Sequence, residues 1–287
     1  MAVERYKFPR SISAALWVDF ASTFEDVATC QYKRVSDTCI EGYVQAKNVC
    51  GHGRYKLYFS LNTDQPFQLE EQKETTASLT FGKKVRAVEV RIGLSALSSE
   101  LASWECARWE KMDFAELKSQ TGNQWEKQLS AIDVKGGKKD DKVIFYTSLY
   151  RAYLSPADVS SPDGAYLGTD GKVYISEDFR YYSNWSLWDT FRTKFPLLVL
   201  TEPARMRDMA TSLIHLYATG KKDWSTGFES TPTVRTEHAV ILLLDAYRKG
   251  ITTLDFRKGY AGMKEEMERL PMRSPDQKME SAYDLWA

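Results

Sequence analysis

Trp188, Asp189 and Arg192 fall within five positions of the stretch SLWDTFRTKFP (186–196), just ahead of a proline. An aromatic ring, a carboxylate and a guanidinium together allow two readings. Asp189 can be an acid at a helix start, favoured by the macrodipole, with Arg192 as its i+3 ion-pair partner and Trp188 packed inside. The trio can equally be a pocket rim that grips something polar. Other residue types are less suggestive. Cys30, Cys39, Cys50 and Cys106 show no C-x-x-C spacing and only three histidines accompany them, so no zinc site or redox dithiol is indicated. A disulfide among Cys30, Cys39 and Cys50 stays open. His238 has no second ligand at i+4 and is expected to pack under its helix start. His52 sits in the turn-like CGHG, Asp163-Gly164 reads as a turn, and Asn184-Trp185-Ser186 fits the glycosylation sequon by frequency alone.

These residues need elements to position them, and the periodicity changes along the chain. Tyr55, Leu57, Phe59 and Leu61 alternate with Arg54, Lys56, Tyr58 and Ser60. Val88, Val90, Ile92 and Leu94 alternate with Glu89, Arg91, Gly93 and Ser95. Each run presents one face to a core and one to solvent, and the turn clusters between such runs point to an antiparallel sandwich over residues 1–100. Residues 101–140 change to helical spacing, with Leu101, Trp104, Trp109, Phe114, Leu117, Trp125 and Leu129 forming an aromatic connector interrupted by TGN at 121–123. From 141 to 287 helices alternate with long polar loops. Thr201 and Pro203 mark one helix start and Gly220 its stop; the next helix runs over 237–249 and stops at Gly250. Such a succession suits a helical array or an α/α toroid.

Composition removes several functions. Lys plus Arg equals Asp plus Glu at 39 each, leaving no basic excess to neutralise a phosphate backbone, so nucleic acid is not an expected partner. The 8 Trp and 16 Tyr supply core material, and flat platforms for the C–H faces of sugars. The first residues lack an apolar h-region and no run of 18 apolar residues occurs, so no membrane span is predicted.

Seven segments carry a family resemblance: 90–102, 112–132, FYTSLYRAYLSP (145–156), PDGAYLG (162–168), YSNWSLWDTFRTKFPLL (182–198), EHAVILLLDAYRKGI (237–251) and MESAYDLWA (279–287). In this order they resemble an internal piece of glycoside hydrolase family 92, the calcium-dependent exo-acting α-mannosidases. The resemblance implies a multidomain α and β chain: a partial N-terminal antiparallel β-sandwich (1–100), a helical linker (101–140) and the N-terminal half of an (α/α)6 barrel catalytic domain (141–287). It implies mannose-containing glycans as substrate, inversion at the anomeric carbon, and calcium held by residues beyond Ala287, where the general base is also expected. The whole protein is expected in the periplasm or secreted.

By the same resemblance Trp188 and Asp189 belong to the subsite for the terminal mannose, where a carboxylate can accept two charge-assisted hydrogen bonds from a vicinal diol. Arg192 orients that carboxylate. The family's general acid falls in a loop between Trp224 and His238, and a gapless alignment puts Ser230 in its place. A hydroxyl cannot serve as the proton donor for a poor leaving group. Glu229, the next residue, can replace it if the loop shifts by one. The rival expectation is a non-catalytic or degenerate carbohydrate-binding protein.

Overall fold

A computed structural model of the chain describes residues 1–10, 12–23, 26–47, 54–73, 75–187, 189–220 and 238–269. The chain divides into two compact units, Met1–Lys127 and Gln128–Ala287.

The first unit opens with eight strands: β1 (Ala2–Lys7), β2 (Ala15–Asp19), β3 (Val27–Arg34), β4 (Cys39–Lys47), β5 (Arg54–Thr63), β6 (Phe67–Lys73), β7 (Thr76–Phe81) and β8 (Ala87–Ser95). They form two antiparallel sheets, a five-stranded one ordered β1-β8-β5-β4-β3 and a three-stranded one ordered β2-β7-β6. Ile40, Phe59, Leu61, Val88 and Val90 from the larger sheet meet Phe67, Leu79 and Phe81 from the smaller in one buried cluster. Phe20 stacks on Tyr32 at 4.3 Å and on Phe59 at 5.3 Å between ring centres, adding aromatic contact to that layer.

The period-2 expectation for β8 holds for Val88 and Val90 and fails at its end. Leu94 is 51% exposed, whereas Gly93 and Ser95 are buried. The cause is helix α1 (Ser99–Ala107), which lies on the sheet face assigned to solvent. A Cβ at Gly93 would sit 1.9 Å from the Ala102 carbonyl oxygen, so only glycine admits the helix there. Cys39 of β4 and Cys106 of α1 itself are buried, and both are free thiols, as is Cys30; the disulfide left open is absent among the described residues, which do not include Cys50. His52 also lies outside them.

Helix α2 (Phe114–Leu129) runs straight through Thr121-Gly122-Asn123, where the sequence suggested a break. A reciprocal cap fixes its start: the Glu116 amide donates to Asp113 Oδ1 at 2.9 Å and the Asp113 amide to Glu116 Oε2 at 2.8 Å. Gly122 projects into open space, so it weakens the helix without stopping it.

The second unit contains α3 (Lys139–Tyr153), then two small two-stranded sheets, β9 (Ala157–Asp158) with β12 (Tyr182–Ser183), and β10 (Ala165–Leu167) with β11 (Val173–Ile175). Helices α4 (Lys194–Thr201), α5 (Pro203–Ala218), α6 (Ala239–Arg248) and α7 (Tyr260–Arg269) complete it. Helix α5 is the centre: Met206, Met209, Ala210, Leu213, Ile214, Leu216 and Tyr217 are all buried, as its one-face pattern requires. Pro203 occupies the first helical position and Gly220 follows the end at φ +86°, as read from the sequence. Thr201 closes α4 instead of opening α5; its hydroxyl donates back to the Leu197 carbonyl at 3.0 Å. No described helix is long and apolar enough to cross a membrane.

Candidate functional site

Trp185, Leu187, Phe191 and Phe195 are buried and anchor the chain on either side of Asp189. Trp185 packs on Phe195 at 6.0 Å between ring centres. Ahead of it Asn184 has φ +63°, a left-handed conformation that non-glycine residues seldom adopt and that bends the chain into the turn. Residues 189–193 are a turn, and the helix starts only at Lys194, later than the first-turn placement read from the sequence.

Within the turn the Arg192 amide donates to the Asp189 carbonyl at 3.1 Å, and the Thr190 hydroxyl donates to the Ser186 carbonyl. Both candidate side chains are exposed. The Arg192 guanidinium lies 5.2 Å from the Phe191 ring centre, and no ion pair joins it to Asp189 among the described residues. The two residues share a turn through the backbone while their charged ends are available to solvent. Trp188 lies outside the described residues, as do Trp224, Glu229 and Ser230.

One contact ties the start of α6 to this turn. His238 is buried, with Nδ1 3.0 Å from the Leu187 carbonyl oxygen and its ring 4.2 Å from Phe191. A carbonyl only accepts, so Nδ1 carries the proton. His238 thus packs under the start of α6, and it fixes the return of the chain beside Asp189.

Behind the turn, Lys194 donates from Nζ to Ser155 Oγ at 2.8 Å. Burial, with Arg205 adding repulsion, pushes its ammonium pKa down to about 8. Arg205 donates to the Tyr153 carbonyl at 3.1 Å and lies over Tyr182. Arg180 does similar work on the small sheets, reaching Asp158 Oδ2 at 2.8 Å and the carbonyls of Ser160 and Ser161 at 2.7 and 2.9 Å. Sequence reading passed over Lys194, Arg205 and Arg180. Their partners are distant in sequence, and nothing in spacing signals them.

The turn brings together a carboxylate that can accept hydrogen bonds, a guanidinium that can donate them, and aromatic rings beneath. Among the described residues no three of His, Cys, Asp or Glu converge to hold a metal ion. The described donors therefore do not fit a calcium site.

The model of the glycosyl hydrolase family 92 catalytic domain matches residues 101–286, nearly two thirds of the chain. The GH92 family glycosyl hydrolase ccman5 superposes with a TM-score of 0.77 at 28% identity, over 91% of this chain and 38% of its own. A family GH92 α-mannosidase of Bacteroides thetaiotaomicron gives 0.79 at 25% identity, over 96% and 40%. A family GH92 inverting mannosidase of the same species shares the fold at 0.76 and 22% identity, over 96% and 39%. The chain thus spans about two fifths of the length of these structures. No curated protein sequence matches it. The catalytic-domain match takes in α4 to α7 and the turn at Asp189, and the chain belongs to glycoside hydrolase family 92.

Proposed function

We propose that the chain is part of an exo-acting α-mannosidase that hydrolyses terminal α-1,2-linked mannose with inversion, and that the turn at Asp189 binds the terminal sugar. The observation that carries this reading is the exposed Asp189 carboxylate on a turn inside the matched catalytic domain, where His238 fastens the start of α6 to the Leu187 carbonyl. The similar α-mannosidase from Bacteroides thetaiotaomicron supports the substrate class. The helical unit is proposed to be part of an (α/α)6 barrel, and the whole protein to act in the periplasm or outside the cell.

In this scheme Asp189 accepts hydrogen bonds from two adjacent mannose hydroxyls, Trp188 shapes the pocket, and Arg192, which lies over Phe191 instead of pairing with the carboxylate, is a second polar contact for the sugar. Inversion needs an acid to protonate the leaving oxygen and a base, roughly 6.5–9.5 Å away, to activate water on the opposite face. Glu229 is the proposed acid. Calcium and the base are proposed to be held by residues beyond Ala287.

A second reading is a carbohydrate-binding protein without turnover, favoured by Ser230 at the gapless acid position. One experiment separates the two: the chain is mixed with calcium and α-1,2-mannobiose, and the mannose released first is followed by proton NMR. β-Mannose is expected, and α-mannose as the first product overturns inversion. Saturable binding without release, weakened in Asp189→Ala, selects the second reading. Neither binding nor release defeats both.

A further inference from the structure

A separate cavity of about 780 Å³ opens in the helical unit between the β10–β11 hairpin, helix α5 and the stretch around Thr253–Lys258. None of its lining residues belongs to the Asp189 turn. We propose that this cavity is a second carbohydrate site, which binds a neutral pyranose of the glycan apart from the terminal-sugar turn.

The inner wall is aromatic and stiff. Tyr166 is 2% exposed and stacks on Tyr181 at 4.1 Å and on Tyr174 at 5.7 Å between ring centres. Phe179 meets Tyr166 edge-on at 6.0 Å and lies 4.8 Å from the His215 ring. Tyr174 and Phe179 are only half-buried, which leaves ring surface for the C–H face of a sugar. His215 supplies a donor. The buried Tyr166 hydroxyl needs an acceptor for its proton and has Nδ1 of His215 at 2.9 Å, so the imidazole proton sits on Nε2. Burial, with Lys258 nearby, holds the His215 pKa below its ordinary value, which keeps the ring neutral.

The rim argues for a neutral ligand. Glu177, Asp178 and Asp255 face Arg207 and Lys258, so carboxylates outnumber cations. Arg207 is already paired with Asp208 at 2.7 Å. A phosphate would meet net repulsion, whereas hydroxyls find acceptors and donors of both kinds.

The walls are held before any ligand arrives. Gly164, at φ +84°, lets the hairpin close so tightly that a Cβ there would stand 2.1 Å from the Ser176 carbonyl oxygen. Asp163 Oδ1 accepts the Ala165 amide at 3.1 Å, and Thr169 and Thr219 share a hydroxyl hydrogen bond at 2.8 Å that ties the hairpin to the end of α5. Binding therefore requires little ordering of the protein.

The test is calorimetric titration of α-1,2-mannobiose into Asp189→Ala, which removes the proposed terminal-sugar grip. Saturable binding should remain. It should weaken at least tenfold when Thr253→Trp fills the cavity from its exposed rim, and again when Asp178→Asn removes a rim charge. The proposal is overturned if Asp189→Ala binds no sugar, if both cavity variants of a chain with an unchanged melting curve bind as before, or if inorganic phosphate binds there more tightly than mannobiose. Loss of binding on Asp189→Ala alone speaks for the terminal-sugar reading and against this one, so the two fail separately.

Discussion

Two polar turn regions of the helical unit differ in build, and a histidine serves each in the opposite way. Beside the 189–193 turn, Nδ1 of His238 donates to the Leu187 carbonyl and simply fastens backbone. At the β10–β11 hairpin, Nδ1 of His215 accepts from Tyr166 and leaves Nε2–H for the cavity. The first region displays Asp189 and Arg192 on a turn closed by few bonds, with their charges exposed. The second is held by side-chain caps, stacked rings and a glycine that admits no substitute. The turn offers exposed charge on a lightly tied backbone; the hairpin offers a preformed shape.

The contrast can be broken most forcefully at Gly164. Gly164→Val sets a β-branched residue at φ +84° against the Ser176 carbonyl and should cost on the order of 3 kcal/mol. Its melting temperature should fall and cavity binding should vanish while Asp189-dependent binding persists. Loss of both would show that the two regions form one cooperative piece. His238→Ala is the converse. It removes a buried hydrogen bond and the ring contact with Phe191, worth about 2 kcal/mol together. It should weaken binding that depends on Asp189 more than binding that Thr253→Trp blocks. Asp163→Ala removes only the cap on Ala165 and should cost about 1 kcal/mol, visible as a small drop in a denaturant midpoint.

Much of the scaffold was legible because local rules governed it. Pro203 at a helix start and Gly220 and Gly250 at helix ends, with φ +86° and +104°, sit where chain stereochemistry places them. Val88 and Val90 obeyed alternation because sheet faces sheet beneath them. Leu94 did not, because the rule assumed water on the far face, where α1 lies against Gly93. The hairpin was half legible: Asp163-Gly164 was read as a turn, while Asp170-Gly171, the reversal between β10 and β11, carries the same signal and was not used. At the site, the types and spacing of Asp189 and Arg192 were visible. The Tyr166–His215 pair was not, since its members are 49 residues apart and only folding makes them neighbours.

The smallest effect is a pH dependence carried by His215. His215 in the folded chain resists protonation because it is partly buried, faces Lys258 and already accepts from Tyr166. In the unfolded chain it takes up a proton near the ordinary value of 6.5. Between that value and its lower folded pKa the unfolded state binds more protons, so stability must fall as pH falls through the window and level off below it. Above 6.5 the histidine contributes no slope. His215→Phe should be less stable at every pH, since Tyr166 loses its acceptor, yet its melting temperature should lose this pH dependence between 6.5 and the plateau. An unchanged slope in His215→Phe would move the titration to another group, and would remove the ground for a neutral His215 at the cavity wall.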